Sequence, residues 1–474
     1  MKYPIYYSLL LLLIISGCSK FENGINENPS RPTDVTNRQL WQYAMRELAS
    51  TIENPHAELY VQHLSEKEYS DAQRYNVINF NFNTFYADPM MNLQAIIESD
   101  RFIPTEGSEN NQKAVARILK AYFMWHVTDR WGDVPYTEAL KGQDNLTPKY
   151  DLQKDIYYAL FDELKESSEM IDDGLPITGD LIYDGDMSKW RKLANSIRLI
   201  MALRLSKADP EKGRTEFNEA LSSGVMESNN DNFVNKKIAE QANENYWYNV
   251  FVTQSRRWYC ISEPLVNYMK PYNDPRLATF ADQNESGEYV GLPYGLLLPN
   301  NVSSGEVSYL GTAVRQQDSP NYLLTYAQIL FAKAEAAHPQ IAWLNEGLAS
   351  SKSNYEQAIE NSVLQWNGNI NGVSTMLQDP SIAFSSNVEE SYRQIAYQRW
   401  VHLYLNGFEA WAEWRRTGLP VLTPAPDNNN KPIPTRQAYP ANEAQINAVN
   451  YQEAVTRQFG GNNDLTGKVW WDKD

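Results

Sequence analysis

Cysteine is scarce: the 474 residues contain only Cys18 and Cys260. Two thiols in so long a chain exclude a disulfide-dense scaffold, and the fold must rest on its core. Cys260 reads as a small buried apolar residue rather than a reactive thiol. Histidine is nearly as rare. His56, His63, His126, His338 and His402 never approach the spacing of a zinc site such as H-E-x-x-H and read as core or surface residues. Basic charge is also in deficit, with 42 Lys and Arg against 59 Asp and Glu, a net charge of −17. That balance argues against nucleic acid, which rewards clustered Lys and Arg, and against docking on anionic headgroups through a basic face. The nucleophile elbow G-x-S-x-G, the phosphate loop G-x-x-x-x-G-K-[ST] and the fingerprint G-x-G-x-x-G are missing too. Asp282-x-Asn284-x-Ser286-Gly287 imitates the first half of a calcium loop, but Pro293 stands where a bidentate Glu belongs. No metal or cofactor is therefore expected, and no catalytic residue. Carboxylates are abundant, yet a glycosidase pair is defined by separation in space and the sequence marks none.

What is present begins at the N-terminus. Lys2 precedes an apolar run from Leu9 to Ile15 that has secretory length and is too short to span a bilayer. Ile15-Ser16-Gly17-Cys18 places small residues before a cysteine and resembles a lipobox, whose thiol is acylated before cleavage. Residues 1–17 are then the signal peptide and Cys18 the lipidation site at the mature N-terminus. Each buried acyl methylene contributes about 0.8 kcal/mol, so several chains anchor the protein in a membrane while its body stays aqueous. With Cys18 occupied by lipid, no intramolecular disulfide remains. Residues 18–40, rich in Asn and Pro, read as a tether that reaches several tens of ångströms at about 3.3 Å per residue.

From Trp41 onward helical patterning dominates. The spacing of Val115, Ile118, Leu119, Tyr122, Phe123 and Val127 predicts a helix over 114–127. A second runs over 188–209 with Ser188 as its N-cap and Asp209-Pro210 as its stop. Further helices are predicted over 322–337, 389–405 and 408–417, the last closed by Gly418, with shorter patterns over 152–171 and 355–366. Trp190-x2-Leu193-Ala194-x2-Ile197 and Ala327-x3-Phe331-x2-Ala334-x4-Pro339 match the first and second helices of the tetratricopeptide pattern, each lacking its partner half at the expected spacing. The expectation is a mainly α body of degenerate helix pairs, with a helical scaffold over about 41–228 and 318–418. Residues 229–317 and 419–474 form a loop-rich irregular layer, and 41–474 is one domain.

Ordered blocks carry a resemblance. They are Asn26-Glu27-Asn28-Pro29 with Pro32-Thr33-Asp34; Thr128 to Tyr136 (TDRWGDVPY); Asp180 to Asp186 leading into Lys189 to Ser196; and Asn273-Asp274-Pro275-Arg276-Leu277. Leu324 to Ala327 with Ala334 to Ala337, Asn406 to Trp411 with Arg415 to Gly418, and finally Tyr439-Pro440 and Trp470-Trp471-Asp472 complete the set. Together they resemble the SusD/RagB family of outer-membrane nutrient-binding lipoproteins over nearly the whole mature chain. The resemblance implies four tetratricopeptide-like helix pairs, a loop-rich ligand face, no enzymatic chemistry and surface display on the outer membrane. It also implies a SusC-like TonB-dependent transporter as partner, to which an oligosaccharide or peptide is delivered. Ser19-Lys20-Phe21-Glu22-Asn23 departs from the family in carrying only a weak acidic export signal. The blocks themselves read as scaffold: Gly132 suits a fixed turn, and Arg415 and Arg416 can pair with Glu409 or Glu413.

Ligand residues come from physics alone. An exposed aromatic face stacks on a sugar ring or a peptide side chain, and a neighbouring Arg or Asn supplies hydrogen bonds. Arg74 and Tyr75, with Asn79 and Phe82 nearby, have that mixture. So do Tyr246, Trp247 and Tyr248 with Arg256, Arg257, Trp258 and Tyr259. Two other classes of function stay open: a tetratricopeptide-like scaffold of the transporter complex without its own ligand, and a secreted glycosidase. Replacing Trp247 and Tyr75 by Ala is expected to abolish ligand binding without unfolding, as checked by binding and melting measurements.

Overall fold

The Thr36 hydroxyl accepts the backbone N–H of Gln39, and the Gln39 side chain accepts the N–H of Thr36 in return. This capping box starts α1 (Asn37–Glu47). Helical structure therefore begins at Asn37, four residues before the expected start of the body at Trp41. The structure, a computed structural model, describes residues 35–474. The expected signal peptide, Cys18, most of the expected tether and the motifs around Pro29 and Pro32 lie outside the described residues.

The longer helices that follow are α2 (Pro55–Tyr60), α3 (Met91–Glu98), α4 (Glu109–Trp131), α5 (Gln153–Met170), α6 (Met187–Arg204) and α7 (Pro210–Ser222). After a loop-rich stretch come α8 (Tyr326–Ala337), α9 (Gly347–Asn367), α10 (Val388–His402), α11 (Gly407–Thr417) and α12 (Ala448–Phe459). Among the described residues the strands are short and pair antiparallel, two by two. β1 (Leu64–Glu66) pairs with β5 (Tyr259–Ile261), β2 (Val134–Pro135) with β3 (Tyr150–Asp151), and β4 (Phe233–Asn235) with β6 (Asn321–Leu324).

Capping side chains correct several expected boundaries. Asp186, not Ser188, caps α6: its carboxylate accepts the N–H groups of Ser188 and Lys189, and the Ser188 hydroxyl itself bonds to it at 2.6 Å. Asp209-Pro210 starts a helix rather than merely following one. Asp209 accepts the N–H of Lys212 and Pro210 occupies the first turn of α7, where its missing N–H costs nothing. The expected helix over 322–337 begins only at Tyr326, because residues 321–324 pair as β6 and Thr325 forms a capping box with Gln328. Helix α9 starts a full two turns before Tyr355, through a polar stretch that carries no apolar stripe.

Consecutive helices pack as pairs, α4 with α5, α6 with α7 and α8 with α9 closely, and α10 with α11 more lightly, α11 lying chiefly against α2. Helix α7 is the partner half that the Trp190 fragment lacks in the sequence. The Ala327 fragment leads its partner α9 rather than following one. The cap of α4 is Gly132, at φ +84°, where a Cβ would run into the Gln458 side chain. One apolar cluster extends from Trp41 to Trp471, and a smaller one around Phe331, Tyr355, Ile359 and Ile395 fills the space between α8, α9 and α10. No helix among the described residues is long and apolar enough to cross a membrane.

The pairs converge on a buried lattice of charge. Glu335 on α8 binds Arg416 at 2.7 Å and Arg399 at 2.5 Å, and Glu413 on α11 binds Arg416 at 2.6 Å and also Arg399 and Arg204. Arg204 reaches Glu409 at 2.7 Å and Asp129 of α4 at 3.4 Å. The sequence pairing of Arg416 with Glu413 is thus present. Arg415 instead lies over the rings of Trp411 and Trp471, 3.8 and 4.6 Å from their centres, and donates to the carbonyls of Asp129 and Thr435. Burial alone pushes the Glu335 carboxyl up, but Arg416 and Arg399 outweigh it and hold it at about 2.

Glu413→Gln leaves three buried guanidiniums short of charge, and a loss of about 3–5 kcal/mol in urea unfolding is expected. Because folding depresses the Glu335 carboxyl below its usual 4.5, the stability it contributes is present above that value and is lost as pH falls toward about 2. Melting temperature measured against pH should drop steeply in that window.

Candidate functional site

The loop face is built on the β1–β5 ribbon, which is anchored from below. His63, just before β1, bonds Glu58 at 2.9 Å through one ring nitrogen and the carbonyl of Trp400 at 2.9 Å through the other. The Trp400 indole returns a bond to the carbonyl of Val61 at 2.9 Å, and Gly407 at the start of α11 lies directly against the Glu58 backbone. Helices α10 and α11 thus hold the entry to the ribbon. In the ribbon Leu64 pairs with Ile261, Ser65 with Cys260 and Glu66 with Tyr259. Lys67 then donates its N–H to the carbonyl of Trp258, extending the pairing by one residue. Cys260 is fully buried, and burial pushes its thiol up to about 12.

This pairing brings Trp258, immediately before β5, against Tyr69 in the loop after β1, while Arg74 and Tyr75 further along that loop reach Asp427, Tyr294 and Ala425 instead. The turn carrying Arg74 closes through N–H bonds of Arg74, Tyr75 and Asn76 to the carbonyls of Ser70, Ala72 and Asp71. Gln73 fastens it to the ribbon, its amide bonding both the N–H and the carbonyl of Glu66. Tyr75 and Ser255, one in each loop, occupy left-handed backbone at φ +62° and +55°. A non-glycine residue there is strained, and such residues gather where surrounding structure fixes a functional loop.

Within the face the expected residues divide. Tyr75 is only 2% exposed; its hydroxyl meets Tyr294 at 3.4 Å and accepts the N–H of Ala425 at 3.3 Å. Trp247 is 3% exposed, sandwiched edge-on between Tyr246 and Tyr259 at 4.9 and 5.4 Å, and lines a small inner cleft of about 140 Å³ with Tyr322, Trp366 and Tyr404. Phe82 is buried among Trp131, Tyr86, Tyr150 and Tyr439. Tyr75 and Trp247 are packing residues, and replacing them by Ala without disturbing the fold is not to be expected. Tyr246 and Trp258 are half-buried, and Asn79, Arg256 and Arg257 are exposed. Arg74 donates to the carbonyl of Asp427, at 2.5 Å from its Nε, and so bridges to the C-terminal loop layer.

The accessible chemistry concentrates at one edge of the ribbon. Tyr69, 55% exposed, stands perpendicular to Trp258 with ring centres 5.0 Å apart, and the Arg256 guanidinium lies 4.6 Å over the Trp258 ring. Arg257 covers Tyr309 in the same way at 4.5 Å. Tyr309 is itself buried beneath Arg257, whereas Tyr69 and the half-buried Trp258 present ring surface beside guanidinium donors, the combination suited to a sugar ring and its hydroxyls. Tyr69 escapes a sequence reading because it lies in the charged stretch Ser65-Glu66-Lys67-Glu68-Tyr69, and only the pairing with β5 brings it to Trp258. The other motifs serve structure. The Asp282 carboxylate is taken by Thr312 and, at 2.8 Å, by Arg315, and Arg276 forms a buried pair with Asp274 at 2.6 Å.

Four stacked helix pairs beneath an aromatic loop face define a helical-repeat protein. A family model described as "starch-binding associating with outer membrane", SusD-like, matches residues 29–440. The fold is similar to that of a chitin-binding protein at 29% identity, with a TM-score of 0.79 over 93% of this chain and all of that one. A SusD homologue from Bacteroides fragilis aligns with a TM-score of 0.81 at 25% identity over the same shares. A chitin-binding SusD homologue from Flavobacterium johnsoniae shares the fold at 21% identity, with a TM-score of 0.77 over 92% of this chain and 99% of that one. No curated protein matches the sequence. The chain belongs to the SusD-like family of nutrient-binding outer-membrane proteins, whose members are binding proteins rather than enzymes.

Removing a buried aromatic costs about 3–5 kcal/mol, whereas an exposed side chain away from such packing changes stability by about 0.5 kcal/mol or less. Urea unfolding should therefore separate Trp247→Ala, strongly destabilised, from Tyr69→Ala, close to wild type.

Proposed function

We propose that this protein captures a nutrient oligosaccharide on the loop face and delivers it to a SusC-like TonB-dependent transporter, held at the outer-membrane surface by acyl chains on Cys18. The observation that carries this reading is the accessible Tyr69–Trp258–Arg256 platform. Trp258 and Tyr69 supply the stacking faces and Arg256 the donors. Trp247 packs behind the platform against Tyr259. The family description supports a glycan over a peptide, and the similarity to a chitin-binding protein supports N-acetylglucosamine oligomers as a first probe. A net charge of −17 disfavours polyanionic ligands, weakly, because salt screens within about 8 Å.

The test is purification of the full-length protein in mild detergent, mass spectrometry of what accompanies it, and calorimetry with chitohexaose, maltohexaose and a neutral hexapeptide. A stoichiometric barrel and binding of one hexasaccharide are expected, with Tyr69→Ala and Trp258→Ala each weakening affinity about tenfold, or 1.4 kcal/mol. Recovery without a barrel sinks the delivery step. Binding of the peptide alone sinks the glycan assignment, and wild-type affinity in both variants moves the site elsewhere.

A further inference from the structure

Behind the platform lies a group of polar side chains with no protein hydrogen-bond partner among the described residues. Glu66 is 5% exposed, yet its carboxylate makes no hydrogen bond or ion pair among the described residues. Only its backbone N–H and carbonyl are used, by Gln73. Tyr259 stands directly opposite on β5, and directly paired residues of an antiparallel ribbon project to the same face. Neither the Tyr259 hydroxyl nor that of Tyr246, which reaches the group from the short helical turn Tyr246–Tyr248, has a partner among the described residues. None of these atoms belongs to the sealed, unpaired polar atoms of the interior, such as the Tyr60 hydroxyl. They keep contact with solvent, so the group is a recess rather than a void.

The charges around it do not neutralise Glu66. Asp71, in the turn after β1, is the acid whose charge acts on it; Lys67 turns away and gives its ammonium to the carbonyl of Val302 at 2.8 Å. Arg256 acts on Tyr246 and Tyr259 but forms no ion pair with Glu66, and Glu53 acts on Tyr246. A nearly buried carboxylate without a protein partner costs free energy to keep, and its oxygens remain free to accept donors that arrive through solvent. We infer that Glu66, with Tyr246 and Tyr259, is a hydrogen-bonding subsite of the loop face that accepts paired hydroxyl donors from a neutral sugar. The inference rests on the glycan-capture reading above and deepens it. A carboxylate offers two oxygens and so suits two adjacent hydroxyls, while the tyrosine hydroxyls both donate and accept. An anionic sugar would be repelled by Glu66 and Asp71 together.

Burial, reinforced by Asp71, pushes the Glu66 carboxyl up to about 7. A neutral sugar that accepts its place from the carboxylate form binds best above that value, and its affinity declines as pH falls through it. The sugar has no titrating group of its own, so the pH profile of binding reports the protein. Calorimetry of chitohexaose and maltohexaose on the full-length protein between pH 5.5 and 8.5 tests this, with Glu66→Gln and Tyr259→Phe as variants and melting curves to confirm that each folds. Wild type should lose at least fivefold in affinity for whichever hexasaccharide it binds between pH 8.5 and 5.5. Glu66→Gln should bind at least fivefold more weakly at pH 8.5 with a flat profile, and Tyr259→Phe should weaken binding while keeping the pH dependence. A profile that is the same in wild type and Glu66→Gln overturns this subsite and leaves the glycan-capture reading standing. Failure of wild type to bind either hexasaccharide at any pH overturns both. Tighter binding of a lysine hexapeptide than of either sugar shows that the recess takes a cation and overturns the neutral-sugar assignment.

Discussion

Two glutamates hold this fold in register. Glu335 and Glu413 sit between Arg204, Arg399 and Arg416, with side chains drawn from α6, α8, α10 and α11, so three of the four helix pairs meet at one point. Desolvating so many charges is expensive, and their attraction offsets it only when the geometry is correct. A helix that slid by one turn would strand an arginine without a carboxylate. Apolar packing alone tolerates such slips far better, because many side chains of similar volume can fill the same space.

The consequence reaches the loop face by a short route. Trp400 and Gly407 belong to the helices that carry Arg399 and Glu413, and they fix the Glu58–His63 segment that opens β1. The ribbon then sets Trp258 against Tyr69 and Glu66 against Tyr259. A rigid lattice of charge beneath and two strained loop residues above give the face a defined shape before any ligand arrives, which lowers the ordering cost of binding.

The scaffold was the legible part of the sequence because its signals are local. Helical stripes, the Asp-Pro boundary and blocks such as Asn273 to Leu277 lie within a few residues of what they determine, although the Thr-x-x-Gln boxes that start α1 and α8 escape the sequence reading. Even so, Asp209-Pro210 read as an end when it is a beginning, because an N-cap and a stop present the same dipeptide. The site was legible only in outline. Both candidate segments adjoin one ribbon, but aromatic residues beside arginine look alike whether they pack inward, as Tyr75 and Trp247 do, or outward, as Trp258 does. Glu66 and Tyr69 sit in a run of charged residues that reads as solvated surface. Pairing with a strand nearly two hundred residues away buries one and aligns the other, and no local pattern records it.

Cys260 carries a practical meaning beyond packing. Its sulfur is sealed beneath the ribbon and held protonated, and the other cysteine of the chain is the expected acylation site. In the folded state the described body is chemically silent toward thiol reagents. A single cysteine introduced on its surface would be a lone reporter, free for spin labels, fluorophores or photocrosslinkers, without first stripping native thiols from the chain. The same silence makes labelling of Cys260 a gauge of ribbon opening, since the sulfur becomes reactive only when β1 and β5 part.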